Sequence, residues 1–338
     1  MRNYIIQGAG AIGSAIGGSL TKMGYDVTLI SKKPHIDAIS SQNGLYLHTL
    51  KGIILQPIKV TDTIAHCRID SDTVIFQTMK ANDTQSVLND LKYINKNTPI
   101  ICWQNGIENE AIVSKVFKRV YGGIVRFTGT LMKPGTVQFA GTGKLIVGLY
   151  PKGMDTVVTA IVNDLNSTGF TTLKSDNIMQ DKWLKILVNL ISCIKPITIK
   201  TKDEPEKRIE ICRNALKEGI EVLKKTGINA ASTNKTEDSP ENMLVNFSKS
   251  LSLADGEGQG MQLKNSTWQS LAKKNSAIEN DFYTGTIIKL GKECNVPTPY
   301  NRAILHFLHK IADNNLGPES IEINTIIDKI KEYSLEQN

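Results

Sequence analysis

The most constraining feature of this chain is a run of six residues near its start, Gly8-Ala9-Gly10-Ala11-Ile12-Gly13. The short apolar run Tyr4-Ile5-Ile6 precedes it, and a helix-like stretch from Ala11 to Met23 follows. Gly24 is placed to end that helix, and Tyr25–Ile30 reads as a second strand. Strand, glycine turn, helix and strand within about 30 residues form a βαβ unit whose turn cradles a pyrophosphate. The first glycine permits the tight turn. The second lets the backbone approach the phosphates, and the third lets helix and strand pack closely. Unpaired N–H groups at the helix start then hold the negative charge.

The pattern continues. Thr73–Gln77 and Ile100–Trp103 are short apolar runs of the kind buried in parallel sheets. Leu45–Leu50 and Ile53–Val60 flank Lys51-Gly52, so they form a hairpin or lie near a sheet edge. Val120–Phe127 and Thr136–Phe139 read as further strands, with Pro134-Gly135 as a turn. Alternating elements predict a doubly wound, Rossmann-type α/β domain over residues 1–174. Beyond Ser175 strand signals nearly vanish. Asn177–Cys193, Arg208–Thr226, Asn265–Lys274, Ile278–Glu293 and Ala303–Ala312 have helical spacing, so residues 175–338 read as a mostly α-helical domain. The polar stretch Ala230–Glu241 reads as an exposed loop.

Composition narrows the function. The net charge of +7 is spread along the chain without basic stretches interleaved with aromatics, so anionic small ligands explain it better than nucleic acid. The five cysteines include no CxxC pair, which argues against a disulfide framework and against a metal site and fits a reducing compartment. The chain enters its first strand pattern at once, with no leader, and has no apolar run of about 18 residues. A cytoplasmic protein without membrane or nucleic-acid partners is expected.

The end of the second strand addresses cofactor choice. NAD binders place an acid there to hold the ribose 2′-OH. Here Ser31-Lys32-Lys33 stands instead, a hydroxyl and cations suited to a 2′-phosphate, so NADP or NADPH is expected. In the second half, Lys185 and Asn189 lie four apart and share a helix face. One could donate a proton and the other hold a substrate oxygen, although an isolated helical lysine is usually only solvated.

Further residues resolve that ambiguity. Trp183-x-Lys185-x-x-x-Asn189, Asn265–Leu271, Ile278–Gly285 and Val296–Asn301, with Met79-Lys80-Ala81 and Gln104-Asn105-Gly106 in the first half, resemble the ketopantoate reductase family over nearly the whole chain. The resemblance implies NADPH-dependent reduction of a 2-oxo acid to a 2-hydroxy acid, with ketopantoate and pantothenate biosynthesis foremost. It implies that Lys185 is the proton donor and Glu279 its acidic partner beside substrate hydroxyl and nicotinamide ribose. Gly8, Ala9, Gly10, Ala11, Ile12, Gly13, Ser31, Lys32, Lys80, Asn105 and Glu279 would bind cofactor. Asn105, Lys185, Asn189 and Thr267 would bind substrate. A carboxylate near Lys185 would keep its ammonium protonated.

One departure stands out. Where the family commonly has a second substrate asparagine, this chain has Cys193, and a thiol is a weak hydrogen-bond partner. That leaves open a related 2-hydroxy-acid dehydrogenase with another substrate. A non-catalytic NADP-binding redox sensor is the alternative from a different class. Paired helices in the second half could also bury a homodimer face.

Overall fold

In the computed structural model the described residues are 2–199, 205–235, 238–248, 263–274 and 278–336. They divide into two compact units, one up to Met179 and one of helices from Gln180 onward.

The first unit is built on an eight-stranded sheet. Its strands are β1 (Asn3–Gln7), β2 (Asp26–Ile30), β5 (Lys59–Thr61), β6 (Thr73–Gln77), β7 (Ile100–Cys102), β8 (Val120–Arg126), β11 (Lys144–Leu149) and β12 (Thr171–Ser175). The order is β12-β11-β8-β7-β6-β1-β2-β5, with β11 antiparallel to β8 and the other pairings parallel. All five residues of β1 are buried, as a central strand covered on both faces must be. In register, Ile5, Ile75 and Ile100 line one face, while Tyr4 and Ile6 point to the other with Val74, Phe76 and Ile101. At one end the Tyr4 hydroxyl and the Arg2 guanidinium both donate to Asp164, on helix α5 (Thr156–Ser167), at 2.5 to 2.8 Å.

A second sheet of four strands lies outside the sequence expectation. It joins β3 (Leu45–Thr49), β4 (Gly52–Gln56), β9 (Gly129–Lys133) and β10 (Thr136–Phe139) in the order β4-β3-β10-β9. The Lys51-Gly52 hairpin pairs β3 with β4, and β4 is also a sheet edge, so both readings of that segment hold. Helix α1 (Ala11–Lys22) lies between the two sheets. A Cβ on Gly17 would press on Leu29 and Ile6 of the main sheet, and one on Gly18 would meet Leu47 and Leu45 of the small sheet. Every residue from Gly13 to Leu20 is buried. A helix enclosed on all sides cannot show a single apolar stripe, which accounts for its small side chains.

The second unit is helical: α6 (Ile178–Ile191, its first two residues in the first unit), α7 (Pro205–Thr226), α8 (Pro240–Val245), α9 (Ser266–Ala272), α10 (Thr284–Cys294), α11 (Pro299–Asp313) and α12 (Ile323–Leu335). The single helix expected over Ile278–Glu293 is instead a 3₁₀ turn, Asn280–Phe282, followed by α10. The two meet at Tyr283, whose φ of −135° is not helical. Its fully buried ring and hydroxyl are held by tertiary contacts. The described residues of the Ala230–Glu241 stretch, 230–235 and 238–241, are also less exposed than their polarity suggests. Ala230 is buried, and Thr233 donates its N–H (3.1 Å) and hydroxyl (2.7 Å) to Asp181, at the start of α6. Glu218 on α7 seats α11: it accepts from the N–H groups of Tyr300 (2.8 Å) and Asn301 (2.9 Å) and from the Asn301 amide (2.7 Å).

Among the described residues no helix is long and apolar enough to cross a membrane, and no cluster of His, Cys, Asp or Glu is arranged to hold a metal.

Candidate active site

The glycine turn joins β1 to α1 at the carboxyl end of the parallel strands, where doubly wound sheets bind ligands. Gly8 has a φ of +95°, and a Cβ there would collide with the backbone of Met79. Only glycine fits both constraints. Gly13 packs so closely that a Cβ would overlap the Thr78 hydroxyl and lie 2.9 Å from Gly8 O and Ile6. Gly10 differs, because a Cβ there would come within 4 Å of only Gly8 O, at 3.9 Å. The space beside Gly10 is open, as backbone approach by a pyrophosphate requires. Gly10 caps α1, the first turn carries no acid, and the leading N–H groups of Ala11, Ile12 and Gly13 have no partner inside the helix. The turn therefore fits a phosphate-bearing dinucleotide on its own geometry.

The neighbouring segments are brought to this turn. The N–H groups of Gly8 and Ala9 donate to Ile30 O at the end of β2 (3.1 and 2.9 Å), and Ser31 Oγ reaches Ala9 O at 3.5 Å. Lys32 caps helix α2 (Lys33–Ser41) and is exposed. Its ammonium meets no carboxylate among the described residues, whereas Lys33 pairs with Asp37 at 3.2 Å. Thr78 donates its hydroxyl to Gly8 O (2.9 Å), carrying the Met79-Lys80 segment past the turn. Gln104 reaches Met79 Sδ (3.6 Å), and Asn109 holds Asn105 O (2.9 Å). The two motifs that flank Lys80 and Asn105 are thus neighbours, although 25 residues separate Met79 from Gln104.

The other predicted residues lie in the second unit, Lys185 and Asn189 on α6, Thr267 on α9 and Glu279 just before the 3₁₀ turn. Lys185 and Asn189 are partly buried on α6, one turn apart. Asn189 O accepts from Cys193 Sγ (3.1 Å), and Cys193 Sγ in turn accepts from the Asn280 amide (3.2 Å). Asn280 Oδ1 accepts from the Thr267 hydroxyl (3.4 Å), which also bonds the Tyr283 hydroxyl (3.0 Å). This buried chain links α6, α9 and the turn that starts at Glu279. Burial pushes the Cys193 thiol up to about 12 and the Tyr283 phenol well above its ordinary value, so both stay neutral. Thr267 is only 6% exposed, and its hydroxyl is already engaged. Asn280 and Tyr283 carry no local signal of their own in sequence, because only the fold brings them to Cys193 and Thr267. All five cysteines are free thiols.

A Rossmann-type sheet with a dinucleotide turn, in one chain with a helical unit that carries the predicted lysine, amides and hydroxyls, fits a two-part oxidoreductase. Comparison with known proteins gives the family. Residues 4–152 match the family described as "Ketopantoate reductase PanE/ApbA", and residues 177–312 match "Ketopantoate reductase PanE/ApbA C terminal". A 2-dehydropantoate 2-reductase from Pyrococcus horikoshii is 33% identical over 307 residues, covering 89% of this chain and 94% of the relative. Among solved structures, a PanE/ApbA family ketopantoate reductase from Ralstonia eutropha superposes with a TM-score of 0.76 at 22% identity, covering 93% of this chain and 99% of that one. D-mandelate dehydrogenase with NADH and anilino(oxo)acetate superposes with a TM-score of 0.78 at 23% identity, covering 93% and 99%. The chain belongs to the ketopantoate reductase family. It is an oxidoreductase that acts on a CH–OH group with a nicotinamide cofactor.

Proposed function

We propose that the chain reduces 2-dehydropantoate to pantoate with NADPH. The reading rests above all on the Pyrococcus relative, a 2-dehydropantoate 2-reductase that matches nearly end to end. The cofactor choice rests on the end of β2, where Lys32 stands exposed and no acid is present to hold a 2′-OH. Residues 1–174 would form the cofactor domain and 175–338 the substrate domain.

NADPH, when bound, would supply the hydride to the carbonyl carbon. The chain's residues then divide the remaining work. The N–H groups of Ala11, Ile12 and Gly13 hold the pyrophosphate, and Ser31 and Lys32 hold the 2′-phosphate. Lys80 and Asn105 fix the nicotinamide end. Lys185 donates the proton to the carbonyl oxygen as it gains charge. Glu279 holds the product hydroxyl and keeps that ammonium charged. Asn189 holds a substrate oxygen, and Thr267 would reach the substrate carboxylate only by giving up its bond to Asn280.

Cys193 motivates a second reading. It is buried in the Asn280–Thr267 chain, so no amide at this position is offered to a substrate, and a different 2-oxo acid becomes the competing substrate. The test is NADPH oxidation with a panel of 2-oxo acids including 2-dehydropantoate, in wild type and Lys185→Ala. Fastest turnover with 2-dehydropantoate is expected, with the variant about a thousandfold slower. Turnover only with another acid retains the chemistry and replaces the substrate. NADPH binding without any turnover would overturn the enzymatic reading.

A further inference from the structure

We propose that His35 is a positioning residue of the dinucleotide site, one that fixes Lys32 relative to the glycine turn and thereby sets the preference for a 2′-phosphate. The inference rests on the proposed reading of Lys32 and extends it to residues that touch no ligand.

His35 is only 5% exposed and lies in the first turn of α2. Its Nδ1 lies 2.9 Å from the N–H of Gly135, in the turn between β9 and β10. A backbone N–H can only donate, so Nδ1 accepts and the ring proton is on Nε2. Nε2 lies 3.2 Å from Ser14 Oγ. Ser14 therefore accepts from His35 and gives its own proton to Ala9 O, at 3.2 Å. The result is a single directed chain, from Gly135 N–H through His35 and Ser14 to the carbonyl of the glycine turn.

Gly135 holds both ends of α2. Its N–H goes to His35 at the helix start, and its C=O accepts from Gln42 Nε2 (2.7 Å) just past the helix end. No larger residue fits, since Gly135 has a φ of +76° and a Cβ would strike the Gln42 amide and lie 3.1 Å from Ala38. The backbone N–H of His35 donates to Lys32 O (3.0 Å), a bond that every variant at 35 retains, so the imidazole acts on Lys32 only through the anchor it gives the start of α2 at Gly135. The backbone that carries Lys32 is therefore fixed by His35 on one side and by the Ile30–Ala9 bond on the other. A lysine ammonium on a long flexible stem discriminates between ligands only if its root is held.

The two arms of the chain make separable predictions. Ser14 reaches only the glycine turn, which both nicotinamide dinucleotides use. The His35 ring also ties the start of α2, which Lys32 caps, to Gly135, and only a 2′-phosphate uses Lys32. The experiment is a fluorescence titration of NADPH and of NADH into the resting full-length protein, without substrate. Wild type, Lys32→Ala, Ser14→Ala, His35→Phe and His35→Gln are compared, with a thermal melt of each.

Lys32→Ala is expected to weaken NADPH about tenfold and leave NADH within twofold, as a lost charged hydrogen bond implies. Ser14→Ala should weaken both cofactors by one common factor, about fivefold. His35→Phe keeps the ring volume and should weaken NADPH at least about fivefold more than NADH. His35→Gln keeps a donor towards Ser14 but loses Gly135, so NADH binding should return to near wild type while the NADPH loss persists. Equal weakening of both cofactors by both His35 variants, with Lys32→Ala still selective, would overturn the role of His35 and leave Lys32 standing. An unchanged NADPH to NADH ratio in Lys32→Ala would instead remove the reading of Lys32, and this inference with it.

Discussion

The two units make their sites from different materials. In the first, the proposed cofactor contacts are backbone: the leading N–H groups of α1 and a turn of glycines whose N–H groups at Gly8 and Ala9 donate to Ile30 O and whose Gly8 carbonyl accepts from Thr78. In the second, the predicted groups are side chains from α6, α9 and the residue before the 3₁₀ turn, and of these Thr267 belongs to the buried chain through Cys193, Asn280 and Tyr283. A backbone site depends on what each position lacks, so its signature is local. A side-chain site depends on which distant segments meet, and spacing along the chain does not record that.

The sharpest break of this contrast is Lys185→Ala. It should lower kcat about a thousandfold while leaving the NADPH dissociation constant within twofold, measured by turnover and by titration. Comparable loss of binding would mean that Lys185 also holds the cofactor. Within the glycine turn, Gly8→Ala and Gly10→Ala should separate structure from function. Gly8→Ala forces an L side chain to positive φ against Met79 and should cost at least about 3 kcal/mol of stability in a denaturant melt. Gly10→Ala, with open space around it, should change stability by less than about 1 kcal/mol yet weaken NADPH at least about tenfold, because the methyl occupies the phosphate approach.

In the second unit, burial raises Glu218 to about 7 against the N–H groups of Asn301 and Tyr300 that favour its charge. The unfolded carboxyl ionises near 4.5, so the folded state binds the extra proton between those values. Stability from this group is full below about 4.5 and is lost as pH rises to about 7, by roughly 3 kcal/mol at most. Glu218→Gln should flatten that slope in melts across this window, and an unchanged slope would place its origin elsewhere. Lys33→Ala is the smallest effect. Its exposed pair with Asp37 should contribute no more than about 0.5 kcal/mol, and the NADPH to NADH ratio should not move.

Sequence alone carried the βαβ unit, the position of each glycine and the helical second half, because each is written in local spacing or in the absence of a side chain. It also placed Lys185 and Asn189 on one helix face, since four residues of α-helix make one turn. It did not carry the four-stranded sheet, because the β3–β4 and β9–β10 hairpins lie far apart in the chain and are joined only where β3 meets β10. Nor did it show the break at Tyr283, where buried hydrogen bonds override a helical pattern. Ser14 and Gly135 lie 121 positions apart (135 − 14), with His35 between them, and no local rule links the three. Tertiary structure decided those because a directed hydrogen bond needs two groups within about 3 Å, and only the folded chain brings them there.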